Sequence, residues 1–408
     1  VTRSQITSDP LDGASVVNLS AVTWDFPLIG RTRMLCEAWW DMGIDAPFVQ
    51  VPSLRSAAQR LGMLRREPDP KPSGRGPDVL RPLPLPPAAS WRLFGERTVR
   101  LMARGAAREF GAHLAARIDV ERSLAVVVSP VWVPWLDKLG IERVIYDCID
   151  HAEIHVPRRG LEPMIERWER ELIDQSRAVV VTARGLGEHC RAIRPDIPIA
   201  LIRNGVDARW FQERAACDPR PADLPARDAS RPIVGFVGAL YSWIDWDLIE
   251  AVARELETHR FVFVGPIHGS PAQRRVDRLA NTAFLGPRPY RLVPSYMPGF
   301  DAAWVPFDAG RVSSLANPVK IYEYLSPGLP VATTPVADAD EFSELCDIAR
   351  DADQMARALA GLTDPEARTP AASDQRKAYA DEHIWHARAS ALIDFAGSTS
   401  HGPAGAGA

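Results

Sequence analysis

The chain has 408 residues, a length that suits two ordinary domains rather than one. Its 46% hydrophobic and 25% charged residues are those of a soluble globular protein, and no apolar run approaches the roughly 20 residues of a membrane span. A net charge of −4 argues against general nucleic-acid binding, and five scattered cysteines without metal or redox spacing point to a reducing cytosol, as does a polar start (1–13) without the apolar core of a secretion signal.

Short apolar runs alternate with longer amphipathic stretches. In the first half, strands are expected at Val16–Leu19, Pro47–Val51, Leu124–Val128, Val144–Cys148, Ala178–Thr182 and Ile199–Ile202. Helices are expected between them at Arg31–Met42, Trp91–Arg117, Leu161–Ser176 and Gly185–Ile193. That alternation predicts a parallel sheet with helical crossovers. Gly30, Arg31 and Arg33 open the first helix, where they can face an anion across a cleft or merely solubilise the chain. The stretch 66–87, with eight prolines from Pro68 to Pro87, reads as a surface excursion.

Charge is uneven here. Arg55 through Arg108 holds twelve Lys and Arg against four Asp and Glu. One reading is a solvated basic face; the other is attraction to an anionic partner, such as a lipid-diphosphate acceptor or an anionic membrane surface met through Arg92–Arg108. Further on, Tyr146-Asp147-Cys148-Ile149-Asp150-His151 sets two carboxylates and an imidazole at the carboxyl end of a strand, the edge at which open sheets bind ligands. Asn204-Gly205 suggests a tight turn, and the following segment 208–232, rich in proline and poor in apolar residues, reads as the linker between domains.

The pattern then restarts. Strands are expected at Ile233–Val237, Phe261–Val264, Ala283–Leu285, Ala302–Val305 and Val331–Thr333, and helices at Asp247–Thr258, Pro318–Ser326 and Asp351–Leu362. The fold class is therefore α/β, two doubly wound domains in series with a cleft between them. Domain 1–207 is followed by domain 233–380, a terminal helix over 381–397 and a frayed tail over 398–408. Gly238 ends the first strand of the second half and lets backbone approach a phosphate. Arg288 and Tyr290 sit in a stiff Gly-Pro-Arg-Pro-Tyr turn that can frame a flat base edge or be a plain turn.

The most informative segment is Ala316–Val331. Asn317 suits an N-cap and Pro318 the first helical position, so the amides through Val319 form an anion site. Lys320 follows, and Glu323 lies one turn deeper on the same face. A cation at the helix mouth with a carboxylate below it suits a sugar nucleotide, the diphosphate above and the ribose diol donating to the carboxylate. The Asp-x-Asp triplets at Asp245, Asp338 and Asp351 read as helix starts or loop, and His383 and His386 on the terminal helix lack an acidic partner, so no metal is assigned.

With these blocks in this order, the chain resembles the GT-B glycosyltransferases of family four, the "group one" type, nearest to bacterial polysaccharide and teichuronic-acid transferases. The resemblance rests on Tyr146–Asp150, Ile202–Asp207, Val234–Gly238, Phe284–Pro287 and above all Asn317-Pro318-x-Lys320-x-x-Glu323-Tyr324-Leu325-x-x-Gly328-x-Pro330-Val331. It implies a nucleoside-diphosphate sugar, UDP- or GDP-linked, held by the second domain. It implies a saccharide, lipid-linked or small-molecule acceptor approached from the first domain. Retention of configuration, no cofactor and no obligatory metal are also implied, as is a last helix that crosses back to the first domain. One departure stands out: the first of a pair of family glutamates falls at Leu315. Asp150 or His151 is then expected to orient donor sugar or acceptor, with Asp147 nearby. The rivals are an epimerase or hydrolase on the same fold and a non-catalytic sugar-nucleotide-binding subunit. A cytoplasmic location, with peripheral attachment to the inner membrane face, fits all three.

Overall fold

The computed structural model describes residues 13–24, 30–51, 76–82, 88–155, 159–308, 310, 315–366 and 368–399. Most of the proline-rich excursion, part of the Gly30 approach and the tail from 400 lie outside the described residues. The chain divides into two compact units, one comprising 1–203 with 386–408, the other 204–385.

The first unit is built on a seven-stranded parallel sheet in the order β3-β2-β1-β4-β5-β6-β7. Its strands are β1 (Val16–Leu19), β2 (Phe48–Val49), β3 (Val79–Leu80), β4 (Leu124–Val127), β5 (Arg143–Cys148), β6 (Ala178–Val181) and β7 (Ile199–Leu201). Runs such as Leu-Ala-Val-Val and Ala-Val-Val-Val are buried throughout, as strands covered by helices on both faces must be. Strand β3 lies inside the expected excursion, so part of 66–87 completes the sheet edge. The helix over the basic stretch runs Ala88–Ala115 but is broken at Gly95, whose φ of 70° no helix accommodates. Helix Trp385–Ser398 returns to this unit, where Trp39 Nε1 donates to the Ala389 carbonyl at 3.0 Å.

The second unit holds a six-stranded parallel sheet in the order β10-β9-β8-β11-β12-β13. These strands are β8 (Ile233–Val237), β9 (Arg260–Val264), β10 (Thr282–Gly286), β11 (Ala302–Val305), β12 (Val331–Thr333) and β13 (Cys346–Ile348). The expected linker 208–232 is corrected here. Ala208–Cys217 is a helix capped by Asp207, and Phe211 and Leu224 are buried in the core of the second unit. The prolines and surface charges of that segment concealed two anchor residues. Likewise, the terminal helix expected over 381–397 is two helices, Pro370–Glu382 and Trp385–Ser398, with His383 at the break between them.

The expected tight turn at Asn204-Gly205 is something else. Gly205 is not in the left-handed region, but a Cβ there would stand 2.7 Å from the His383 carbonyl oxygen. Glycine is needed because two strands of chain press together. Val206 N donates to His383 O at 2.9 Å, and Trp385 N to Val206 O at 3.3 Å. The chain thus enters and leaves the second unit through paired segments.

Candidate active site

In each sheet the strand order reverses once, between β1 and β4 and between β8 and β11. Such switch points open a crevice at the carboxyl ends of the strands. In the second sheet that places Gly238, directly after β8, in the expected position. Its neighbourhood is fixed by a second glycine. Gly265, after β9, has φ of 151°, and a Cβ on it would come 1.8 Å from the Gly238 carbonyl oxygen. Gly238 N in turn donates to Val264 O at 2.9 Å. The Tyr324 hydroxyl pins the strand end by accepting from Val237 N at 2.8 Å.

Lys320 and Glu323 come from the helix Val319–Leu325. The Glu323 side chain has 0% exposure, and Lys320 Nζ donates to its Oε2 at 2.7 Å. Tyr290 OH donates to the other oxygen at 2.9 Å. The Lys320 stem runs past Gly238: a Cβ on that glycine would sit 3.3 Å from Lys320 Cε. Gly238, Tyr290, Lys320 and Glu323 are therefore one cluster, although the sequence holds them more than 80 residues apart at the extremes. Tyr290 is backed by Trp210, stacked at 5.5 Å.

Two members of the expected donor set behave differently. Asn317 does not cap the helix; Pro318 takes the cap position with extended φ and ψ, and Val319 starts the helix. The Asn317 side chain instead accepts from Asn204 N at 2.9 Å and from Tyr322 OH at 3.2 Å, while its carbonyl accepts from Asn204 Nδ2 at 2.6 Å. It staples the entering chain to the start of the helix Val319–Leu325. Arg288 does not project as a free base clamp. Its guanidinium bonds Tyr296 OH at 2.9 Å and pairs with Asp223, a residue of the supposed linker. Burial pushes Asp223 up, but hydrogen bonds from Arg288 and Tyr296 outweigh it and hold the carboxyl below its usual range.

In the first unit, Arg31 and Asp147 do not face an open cleft. Arg31 Nε meets Asp147 Oδ2 at 2.8 Å, both side chains are buried, and Arg31 Nη1 donates to Arg203 O at 2.9 Å. The arginine at the helix mouth is consumed by a carboxylate 116 residues away. Gly30 is exposed as the N-cap of Arg31–Asp41. Arg33 pairs with Glu37 and stacks 4.2 Å over Trp24. His151 is 4% exposed, its ring 5.2 Å from that of His189, which bonds Glu169 at 3.0 Å. Asp150 is half-buried, and no side chain among the described residues bonds its carboxylate. Burial alone pushes its pKa up to about 7.

Asp245 and Asp351 cap helices, accepting from Leu248 N and Gln354 N. Among the described residues, no three His, Cys, Asp or Glu side chains form a metal-sized group. Nor is any helix there long and apolar enough to cross a membrane.

Residues 231–364 match the family described as "Glycosyl transferases group 1". That match takes in most of the second unit. TuaH of Bacillus subtilis (strain 168), named as a glycosyltransferase of teichuronic acid biosynthesis, is 25% identical over 206 residues, 47% of this chain and 50% of that protein. The match thus spans about half the length of this curated relative. Among solved structures, the sucrose-phosphate synthase of Thermosynechococcus elongatus superposes with a TM-score of 0.67 at 16% identity, over 93% of this chain and 97% of that one. The trehalose-phosphate synthase of Burkholderia xenovorans, in complex with glucose-6-phosphate, gives 0.68 at 13%, over 94% and 100%. HepE of Anabaena, in complex with UDP and glucose, gives 0.59 at 13%, over 93% and 98%. The chain has the two-unit parallel α/β fold of these proteins, the GT-B fold.

Gly265 and Trp210, two supports of the cluster, escaped sequence reading, and Tyr324 was read only as part of the quoted motif, without a role. Gly265 follows β9 as Gly238 follows β8, a repeated strand-then-glycine signal that was there to be found. Trp210 gave no such signal, because a half-buried tryptophan packed on a core is ordinary.

Proposed function

We propose that this chain is a retaining glycosyltransferase that moves a sugar from a nucleoside-diphosphate sugar to a saccharide, lipid-linked or small-molecule acceptor, without a metal. The observation that carries this reading is the buried Glu323, held by Lys320 and Tyr290 beside Gly238 at the switch point of a group 1 domain. A carboxylate offers about four acceptor positions and an ammonium three donors. Lys320 and Tyr290 each take one position on Glu323, so two acceptor positions remain, which a ribose reaches once the Lys320 side chain, 21% exposed, swings off the enclosed carboxylate. Lys320 keeps two donors for the diphosphate, next to the close-approach glycine.

Donor binding then belongs to Gly238, Tyr290, Lys320, Glu323 and the backbone of 317–319. Arg288 acts through Asp223 and Tyr296 as a positioning residue for the turn that carries Tyr290. Asp150, a carboxyl near half-protonation at neutral pH, is the group suited to hold or pass a proton at the sugar or acceptor. The departing diphosphate is stabilised mainly by fixed charge and backbone donors. UDP in HepE and glucose-6-phosphate in the trehalose-phosphate synthase support a UDP-linked donor and a sugar acceptor, and TuaH supports a part in polysaccharide biosynthesis. A cytoplasmic site of action at the inner membrane face suits such a pathway.

The test is incubation with radiolabelled UDP-, GDP-, ADP- and dTDP-sugars, with and without lipid extract and EDTA. Transfer that survives EDTA and keeps the anomeric configuration is expected. A free epimer or free sugar would support epimerase or hydrolase chemistry, and binding without turnover a non-catalytic subunit.

A further inference from the structure

The donor cluster occupies the carboxyl edge of the second sheet. A cavity of about 660 Å³ lies at the opposite edge of the same unit. It is lined by Asp301 and Pro330, the residues directly before β11 and β12. At about 3.3 Å per strand residue, roughly 15 Å of sheet separates it from Gly238.

Its charge is one-sided. Arg368, Arg376 and Lys377 line it against a single carboxylate, Asp301. Arg368 and Asp301 satisfy each other at 2.7 Å. Lys377 reaches Asp374 at 3.3 Å, an acid 74% exposed on the helix exterior. Arg376 is half-buried, and its guanidinium bonds two backbone carbonyls at long range, Gly328 O at 3.4 Å and Leu345 O at 3.5 Å. Both distances exceed the 2.7–3.2 Å of good N–H···O bonds. Burial lowers its pKa, with Asp347 and Cys346 offsetting part of the effect. A guanidinium this poorly paired in a cavity gains more from an incoming anion than one already forked onto a carboxylate.

Two further features face the same space. Helix Pro370–Glu382 begins at the cavity with Thr369, Pro370 and Ser373, so the positive end of its dipole lies there; Pro370 has no N–H, and Thr369 takes the amides of Ala372 and Ser373, which leaves that of Ala371 for a ligand. The loop Pro327–Pro330 lies tight on that helix: a Cβ on Gly328, at φ of 84°, would meet Ser373 Oγ at 2.1 Å. Met297 and Leu329 supply apolar wall. Hydroxyls, two cations and a helix start recognise a phosphate; the volume and the apolar wall admit a carbon skeleton of monosaccharide size.

We propose that this cavity binds a small organic phosphate, with the phosphate held by Arg376, Lys377 and the first turn of helix Pro370–Glu382, at a site separate from the donor cluster.

Calorimetric titration of the full chain with glucose 6-phosphate, glucose and inorganic phosphate, each with and without saturating UDP, tests this. Glucose 6-phosphate should bind, UDP should leave its affinity unchanged, and glucose and inorganic phosphate should each bind at least tenfold more weakly. Arg376→Gln should weaken glucose 6-phosphate binding tenfold or more while keeping the melting temperature. Lys377→Ala, at a side chain 39% exposed, should do the same and serves if Arg376→Gln does not fold. Absence of binding, displacement by UDP, or equal affinity in both variants would overturn the site. Inorganic phosphate binding as tightly as the sugar phosphate would overturn the organic-ligand assignment. A wild-type chain that binds glucose 6-phosphate but no nucleotide would sink the donor reading and leave this one standing.

Discussion

Glu323 is bonded on both oxygens before any ligand arrives, and burial makes each of those bonds matter more than it would on a surface. Replacing one oxygen by an amide keeps the shape but removes the charge that a ribose diol meets. Glu323→Gln should weaken nucleotide binding by about 1.5–3 kcal/mol, the worth of a charge-assisted hydrogen bond. Calorimetry with UDP reads this directly, and an unchanged affinity would remove Glu323 from the site. Asp150 differs because nothing among the described residues compensates its charge. Its folded pKa, about 7, lies above the ordinary carboxylate value of 3.8, so the folded chain binds the extra proton between those limits. Stability contributed by that proton is present at low pH and is lost as pH rises toward and through 7. Asp150→Asn should therefore raise the melting temperature at pH 8 and change it little near pH 4. A pH-independent effect would mean that Asp150 is solvated. Sequence reading found the carboxylate cluster at the end of β5 but could not divide it. Whether Asp147 or Asp150 stays available depends on Arg31, a partner 116 positions away, and no local pattern encodes that pairing.

At the level of elements, the periodic segments were legible and the connections were not. Strands such as Ile233–Val237 and Ala302–Val305 appear with the bounds that their apolar runs dictate. The segment Ala208–Cys217 was missed because a short helix with few buried residues gives little periodic signal, yet Phe211 anchors it in the core. The helix Val319–Leu325 was seen, but its capping was misread: Asn317 has a long-range partner in Asn204 that outbids the local cap. The same limit hid Gly265. Adding a methyl there would drive into the Gly238 carbonyl, and backbone rather than a pliable side chain would have to give. Gly265→Ala should thus displace the Gly238 turn and weaken UDP binding at least tenfold while the unit still folds. Full affinity in a titration of that variant would show that the turn does not touch the ligand.

Across the whole molecule, the charge asymmetry asks for a partner, and the structure narrows which residues can meet it. Arg100 is spent on Glu96 and Glu171, whereas Arg97, Arg104 and Arg108 are exposed along one stripe of the helix Ala88–Ala115, with Leu101 (66% exposed) and Met102 (48%) beside them. The Arg92 side chain lies outside the described residues. Cations interleaved with exposed apolar groups suit an anionic lipid surface, at about 1 kcal/mol per basic residue. Sedimentation with vesicles should require anionic lipid, fade with salt, and weaken in a triple Arg97, Arg104, Arg108→Gln variant. Equal binding to neutral vesicles would leave a solvated face.

The chain's two units also carry different parts of the proposed reaction, and that division can be measured. Gly238, Lys320 and Glu323 belong to the second unit, Asp150 and His151 to the first. If donor binding resides wholly in the second, substitutions in the first should leave nucleotide affinity alone. Asp150→Asn removes a positioned proton-holding group, and losses of that kind cost roughly 10² or more in rate. Glu323→Ala should instead appear first as weaker UDP binding. His151 is the informative third case: at 4% exposure it touches His189 rather than open space, so His151→Ala should act through the packing that places Asp150. Its rate loss should come with a lowered melting temperature, whereas Asp150→Asn should lose rate without losing stability. Transfer assays, UDP calorimetry and melting curves on the three variants separate these effects. If Asp150→Asn retains the full rate, the carboxyl at the end of β5 has no part in the chemistry, and the acceptor-side group must lie elsewhere in the first unit.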